Sequence, residues 1–286
     1  MIRAFYAKLV TYLFLLVLTM LSGVQLYAVE ELEDAAPEYI KEYTDKASKA
    51  YGEQKYNESL DFIRHVIKSD MTNYELRMLA AHNHWRLKNY EPATAHFYNA
   101  MAARPDSAGV YTDLAMMLLQ MGEPQKAREI GGKGLEKLLA AQKEVPAKLY
   151  NVIARCALQL GDTVAAVAHS SSAKAAAATD PNKANSQKDK LEAVIIEGRA
   201  QMAVGNFDKA ELSLSWADSI RPENVYTQNL LGYLYEKWAA STTRPEKKKE
   251  YLAKSREQYT LALANSNLPD ALEPLIKSNL ARLGAE

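Results

Sequence analysis

Residues Lys88–Asp106 read KNYEPATAHFYNAMAARPD, and this stretch decides the fold. It opens on a short turn around Asn89 and Tyr90. Ala93, Phe97 and Ala100 then recur at helical spacing, so they share one face. Pro105 stops the run, because proline lacks an amide donor and pushes the residue before it out of helical geometry. The same layout returns along the chain. QKYNES ends at Ser59, KNYEPA at Ala93, GEPQKA at Ala127, GDTVAA at Ala166 and GNFDKA at Ala210, with a degenerate sixth copy ending at Ser255. The first two intervals are 34 residues each and the later ones are 39, 44 and 45.

Each turn separates two amphipathic helical runs. Gly122, Gly161 and Gly205 are placed to supply the left-handed residue that ends the first helix. The small residue that follows lets the second helix come close to the first. The second helices are predicted to end near Pro105, Pro146, Pro181, Pro222 and Pro269.

This pattern resembles the tetratricopeptide repeat (TPR), a helix–turn–helix unit of about 34 residues. The family's small residue in the first helix is matched at Ala81, Ala115, Ala154, Gly198 and Gly232, and its aromatic near the turn at Tyr56, Tyr90 and Phe207. The resemblance implies an all-α, right-handed superhelical solenoid of TPR helix hairpins with a C-terminal capping helix. Residues 39–268 are expected to hold about six repeats, and residues 269–286 the cap. Such a stack needs a polar-faced end, because no hairpin buries its apolar face alone. Extra residues at Thr179–Lys190 and Ala239–Lys249 are read as longer helices or loops.

The N-terminus carries a targeting signal. Arg3 and Lys8 precede the apolar run LVTYLFLLVLTML, followed by SGVQLYA and the acidic VEELEDAAPE. This is the layout of a secretory signal over residues 1–28, with Ala28 the last residue removed and 29–38 an acidic linker. Leu26 stands where a small residue is usual, which keeps a membrane anchor over residues 9–28 open, since about 20 residues span a bilayer. A buried helix is the third reading. In the first two, the repeats lie outside the cytoplasm. Without disulfides and with a simple leader, a bacterial periplasm fits best.

Composition removes other classes. Lys plus Arg and Asp plus Glu are both 35, so no basic excess points to nucleic acid. One cysteine, Cys156, permits neither an intramolecular disulfide nor a cysteine-based zinc site, and its apolar helical setting suggests a buried thiol. GGKG at Gly131–Gly134 looks like a phosphate loop but lacks the required spacing and the following Ser or Thr. Gly131 and Gly134 fall where Phe97 and Ala100 stand one repeat earlier, so close helix packing is expected. His82 and His84 do not share a helix face, His82 pointing outward and His84 toward the core. His169 beside three serines has no orienting third group. No catalytic residue, metal or cofactor is predicted.

The predicted working part is a surface. In TPR stacks the first helices line the concave side. Their outward positions here include His82, Trp85, Arg86, Met116, Leu119, Gln120, Asn151, Arg155, Leu158, Gln159, Ile195, Arg199, Met202, Asn229, Tyr233 and Lys237. Aromatic and Arg side chains are enriched at binding hot spots, and arginines hold carboxylates bidentately. The expectation is a groove for a protein or peptide segment, in assembly of a cell-envelope complex. The competing reading has several of these residues packing against the chain's own first or last helix. A membrane-anchored adaptor and an enzyme subunit with an unrecognised site are the functional alternatives. Membrane contact is expected only if the N-terminal segment stays on.

Overall fold

A computed structural model describes residues 37–284. The signal or anchor at 1–28, and all of the linker but its last two residues, lie outside them. Among the described residues every regular element is an α-helix: α1 (Pro37–Gly52), α2 (Tyr56–Val66), α3 (Tyr74–Arg86), α4 (Tyr90–Ala103), α5 (Ala108–Gln120), α6 (Pro124–Ala140), α7 (Ala147–Gln159), α8 (Thr163–Thr179), α9 (Lys183–Ala203), α10 (Phe207–Ile220), α11 (Val225–Ser241), α12 (Pro245–Ala264) and α13 (Glu273–Arg282). No described helix is long and apolar enough to cross a membrane. The linker ends earlier than predicted, because Pro37 already opens α1. A proline at the first helical position sacrifices no hydrogen bond.

The chain divides into two compact units after Met71. The first is the α1–α2 hairpin. Leu60, Ile63 and Val66 are buried, and the Ser59 hydroxyl donates to the Ala47 carbonyl at 2.8 Å. The second unit stacks five hairpins, α3–α4 through α11–α12, and closes on α13. All-α stacked hairpins are the predicted architecture.

The turns explain the pairing. Gly122, Gly161 and Gly205 have φ of 77°, 78° and 76°, and the equivalent Gln54 and Lys88 take φ of 61° without being glycine. Each left-handed residue lets the next amide reach back five residues, as Glu123 does to the Leu118 carbonyl and Asn206 to the Gln201 carbonyl, both at 2.9 Å. These bonds satisfy carbonyls that a helix end would leave orphaned. Asn73, Asp162, Asn182 and Asn224 cap the following α3, α8, α9 and α11 with side-chain oxygens.

Packing follows a rule of compensated size. Phe97 is fully buried in the α3–α7 core, which contributes roughly 1.5–3 kcal/mol. At its equivalent in the next hairpin stands Gly131, where an added Cβ would lie 2.8 Å from Ile153 Cγ1 of α7; at Gly134 it would lie 2.6 Å from Tyr111 Cβ. The GGKG run is therefore a packing surface. Where the second helix supplies a large residue, the first helix is cut back: Gly198 faces Leu214 and Gly232 faces Tyr259. The sixth copy is real, since the Ser255 hydroxyl donates to the Gly232 carbonyl at 2.8 Å, the bond Ser59 makes to Ala47. Apart from the connections at 180–182 and 242–244, the extra residues are helix, with α9 reaching 21 and α12 20 residues.

Candidate functional site

In the second unit the first helices α3, α5, α7, α9 and α11 present one register of side chains, and much of that register is used to tie neighbours together. Trp85 Nε1 on α3 donates to Gln120 Oε1 on α5 at 2.7 Å. His82 Nε2 lies 3.0 Å from Asp113 Oδ2, and Lys148 Nζ on α7 donates to Asp113 Oδ1 at 3.1 Å. Arg155 Nη1 on α7 donates to Glu192 Oε1 on α9 at 3.3 Å. Asn151 Nδ2 donates to the Asp189 carbonyl at 3.0 Å. The face is built from rungs that run from one hairpin to the next.

Asp113 is the hub of this ladder, with only 17% of its side chain exposed. Burial pushes its carboxyl up, but the hydrogen bond from His82 and the Lys148 charge outweigh that and hold it below the ordinary value. Asp113 and Glu192 were not predicted as part of the face. The signal was present: Asp113 lies three residues before Met116, one helical turn away on the same side.

The predicted residues separate into three groups. His82 and Trp85 are half-buried, with their rings edge-on to Phe97 at centroid distances of 5.7 and 6.3 Å. Met116, Arg155, Leu158, Ile195 and Met202 are also half-buried, while Arg86, Gln120, Gln159, Arg199 and Lys237 are exposed. Tyr233 is 36% exposed and Lys237 Nζ sits 5.2 Å from its ring centre. Three others lie beneath the surface: Leu119 in the α3–α7 core, Asn151 at 0% exposure and Asn229 at 8%. Helical period gives direction but not depth: α9 closes over Asn151, whose side chain donates to the Asp189 carbonyl. The free surface is concentrated at the remaining residues.

The other chemistry-bearing residues are occupied structurally. His84 stacks on His96 at 5.6 Å, and His169 stacks on Tyr150 at 6.3 Å. Cys156 is buried, and burial pushes its thiol up to about 11, which suppresses the reactive thiolate. Among the described residues no group of three or more His, Cys, Asp or Glu side chains is placed to hold a metal ion.

No protein-family model and no curated protein matches the sequence. Solved structures do match. PilW, a widely conserved type IV pilus biogenesis factor, superposes with a TM-score of 0.61 at 18% identity, covering 83% of this chain and 100% of PilW. Pseudomonas aeruginosa PilF gives a TM-score of 0.61 at 10% identity over 87% of this chain and 97% of its own. YrrB, a TPR protein with an unusual peptide-binding site, gives 0.53 at 17% identity over 70% and 95%. Identities this low carry the fold and not the activity. The fold is that of TPR proteins.

Proposed function

We propose that the protein is a non-enzymatic interaction scaffold outside the cytoplasm that holds a segment of a protein partner along the inner faces of α3, α5, α7, α9 and α11, in assembly of a cell-envelope complex. One observation carries this reading. The same register that ties the hairpins together leaves Trp85, Met116, Arg199, Met202 and Tyr233 partly or fully open in series. Rigid aromatic and thioether side chains on fixed helices give contact area at low ordering cost, and arginine adds directional bonds. The structural likeness to a pilus biogenesis factor and to a peptide-binding TPR protein supports the assembly role. The apolar N-terminal run with its basic start supports export.

The test is partner recovery from the native cell with inner-face and outer-face variants of the full chain. Trp85→Ala and Tyr233→Ala together should remove the partner, while Leu212→Ala, at a side chain 72% exposed on α10, should not. Equal recovery from both would reject the inner face. The mass of the mature protein tests the location: a chain beginning near Val29 rejects the membrane anchor, whereas an intact N-terminus rejects the cleaved signal.

A further inference from the structure

The rungs described above neutralise one half of the inner face and leave the other half charged. One residue beyond the small residue of each first helix stand His82, Met116, Arg155, Arg199 and Tyr233. The next hairpin closes the first and third of these: Asp113 lies against His82 and Glu192 against Arg155. Glu192 stands six residues before Gly198, and the residue six before Gly232 is Tyr226, which has no carboxylate to offer. The acid that α11 does carry, Glu236, is already held by the Arg282 guanidinium at 2.9 and 3.1 Å and by the Tyr259 hydroxyl at 3.0 Å. Among the described residues Arg199 is exposed and makes no ion pair or side-chain hydrogen bond. Among the described residues the Lys237 ammonium interacts only with the Tyr233 ring.

We infer that Arg199 and Lys237 make the α9–α11 part of this face a reader of side-chain carboxylates on an acidic segment of the protein partner, an inference that rests on the inner-face reading above. Two cations on successive first helices, with no anion supplied by the fold, are complementary to an anionic ligand. Met202 and Tyr233 flank them, and apolar neighbours strengthen a charge-assisted bond by excluding water. Nucleic acid fits poorly, because two isolated cations in a chain of balanced charge are not the clustered basic stripe that phosphate backbones require. Arg155, already committed to Glu192, contributes to the framework and not to this recognition.

The test is selection from a random dodecapeptide library displayed on phage through the peptide C-terminus, so that only side-chain carboxylates are available, against the immobilised full chain. The expected winners are enriched about threefold or more in Asp and Glu over the input. For a synthetic winner, changing Asp to Asn and Glu to Gln should weaken binding about tenfold or more, and Arg199→Glu in the protein should do the same. Winners without acidic enrichment that still depend on Trp85 or Tyr233 would overturn the carboxylate inference and leave the inner face standing. Acidic winners indifferent to Arg199→Glu and Lys237→Glu would also overturn it. No winner from a chain that keeps its helical circular dichroism would overturn both.

Discussion

Gly232 lies flat beneath the ring of Tyr259: a Cβ added at 232 would come within 2.6 Å of both Cδ1 and Cε1. Tyr259 is fully buried and its hydroxyl reaches Glu236 one turn further along the helix that carries Gly232. Hairpin six therefore closes on a glycine chosen by its partner's size. Gly232→Ala should cost about 1–3 kcal/mol, as overpacking of a filled core does. Gly132, inside α6 with nothing within 4 Å of an added Cβ, should respond oppositely, gaining about 0.5–1 kcal/mol as alanine. Urea denaturation of the two variants gives the signs directly.

Lys88 takes the left-handed conformation that glycine takes at the three later turns. A side chain there costs roughly 1–2 kcal/mol, part of which glycine returns as backbone entropy. Lys88→Gly should stabilise the chain by about 0.5–1 kcal/mol, and Gly122→Ala should destabilise it by about 1–2 kcal/mol. Thermal melting of both would expose a turn that does not depend on this geometry.

How much of this was legible in the sequence depends on which contacts set each feature. The turn at Lys88 and the glycine turns follow from local rules, since a left-handed residue plus a small one five positions on has few other uses, whereas the Ser255 copy has no such residue before it and shows only in its packing on Gly232. The helical extensions of α9 and α12 were harder, because Ala-rich and Lys-rich runs read as either helix or loop until a neighbour covers them. Depth on the inner face was not readable. Leu119, Asn151 and Asn229 share a direction with Met116, Arg155 and Tyr233, yet the first three are buried. Asp113 escaped notice because its importance lies in two residues, His82 and Lys148, that are 31 and 35 positions away.

Asp113 should matter more for the unit than an ordinary surface acid. A carboxylate held below its ordinary value stabilises the fold above about pH 4, and that contribution disappears as pH falls through the folded value. Asp113→Asn removes the charge that both His82 and Lys148 address, at a cost of about 1.5–3 kcal/mol at neutral pH. The variant should lose less further stability than the parent on acidification below pH 4. Parallel stability curves for the two proteins would contradict the ladder.

His96 predicts a second acid response in a different window. Burial between α3 and α4, with Arg77 3.4 Å from its ring and His84 stacked on it, holds the imidazole down at about 4 against an ordinary 6.5. Between about pH 6.5 and pH 4 the unfolded chain takes up a proton that the folded chain refuses, so stability falls as pH falls through that range. His96→Gln keeps a polar side chain without the titration. Its urea midpoint should drop less than the parent's between pH 7 and pH 4.5.

The reversal Arg199→Glu is a cleaner probe of the inner face than reversal of Arg155, because the latter would set one glutamate against Glu192 and disturb the α7–α9 spacing. Arg199→Glu should leave the unfolding free energy within about 0.5 kcal/mol of the parent's, as surface substitutions do. A large loss of stability would mean that Arg199 has a structural partner.

The central claim is that the inner face of the first helices is where the partner lies. A photo-crosslinking amino acid placed at Tyr233, and separately at Trp216, which is 45% exposed on the second helix of its hairpin, tests it in the native cell. One discrete adduct from position 233, diminished by Arg199→Glu and absent from position 216, is the predicted result. The same adduct from both positions, or one from position 216 alone, would contradict it.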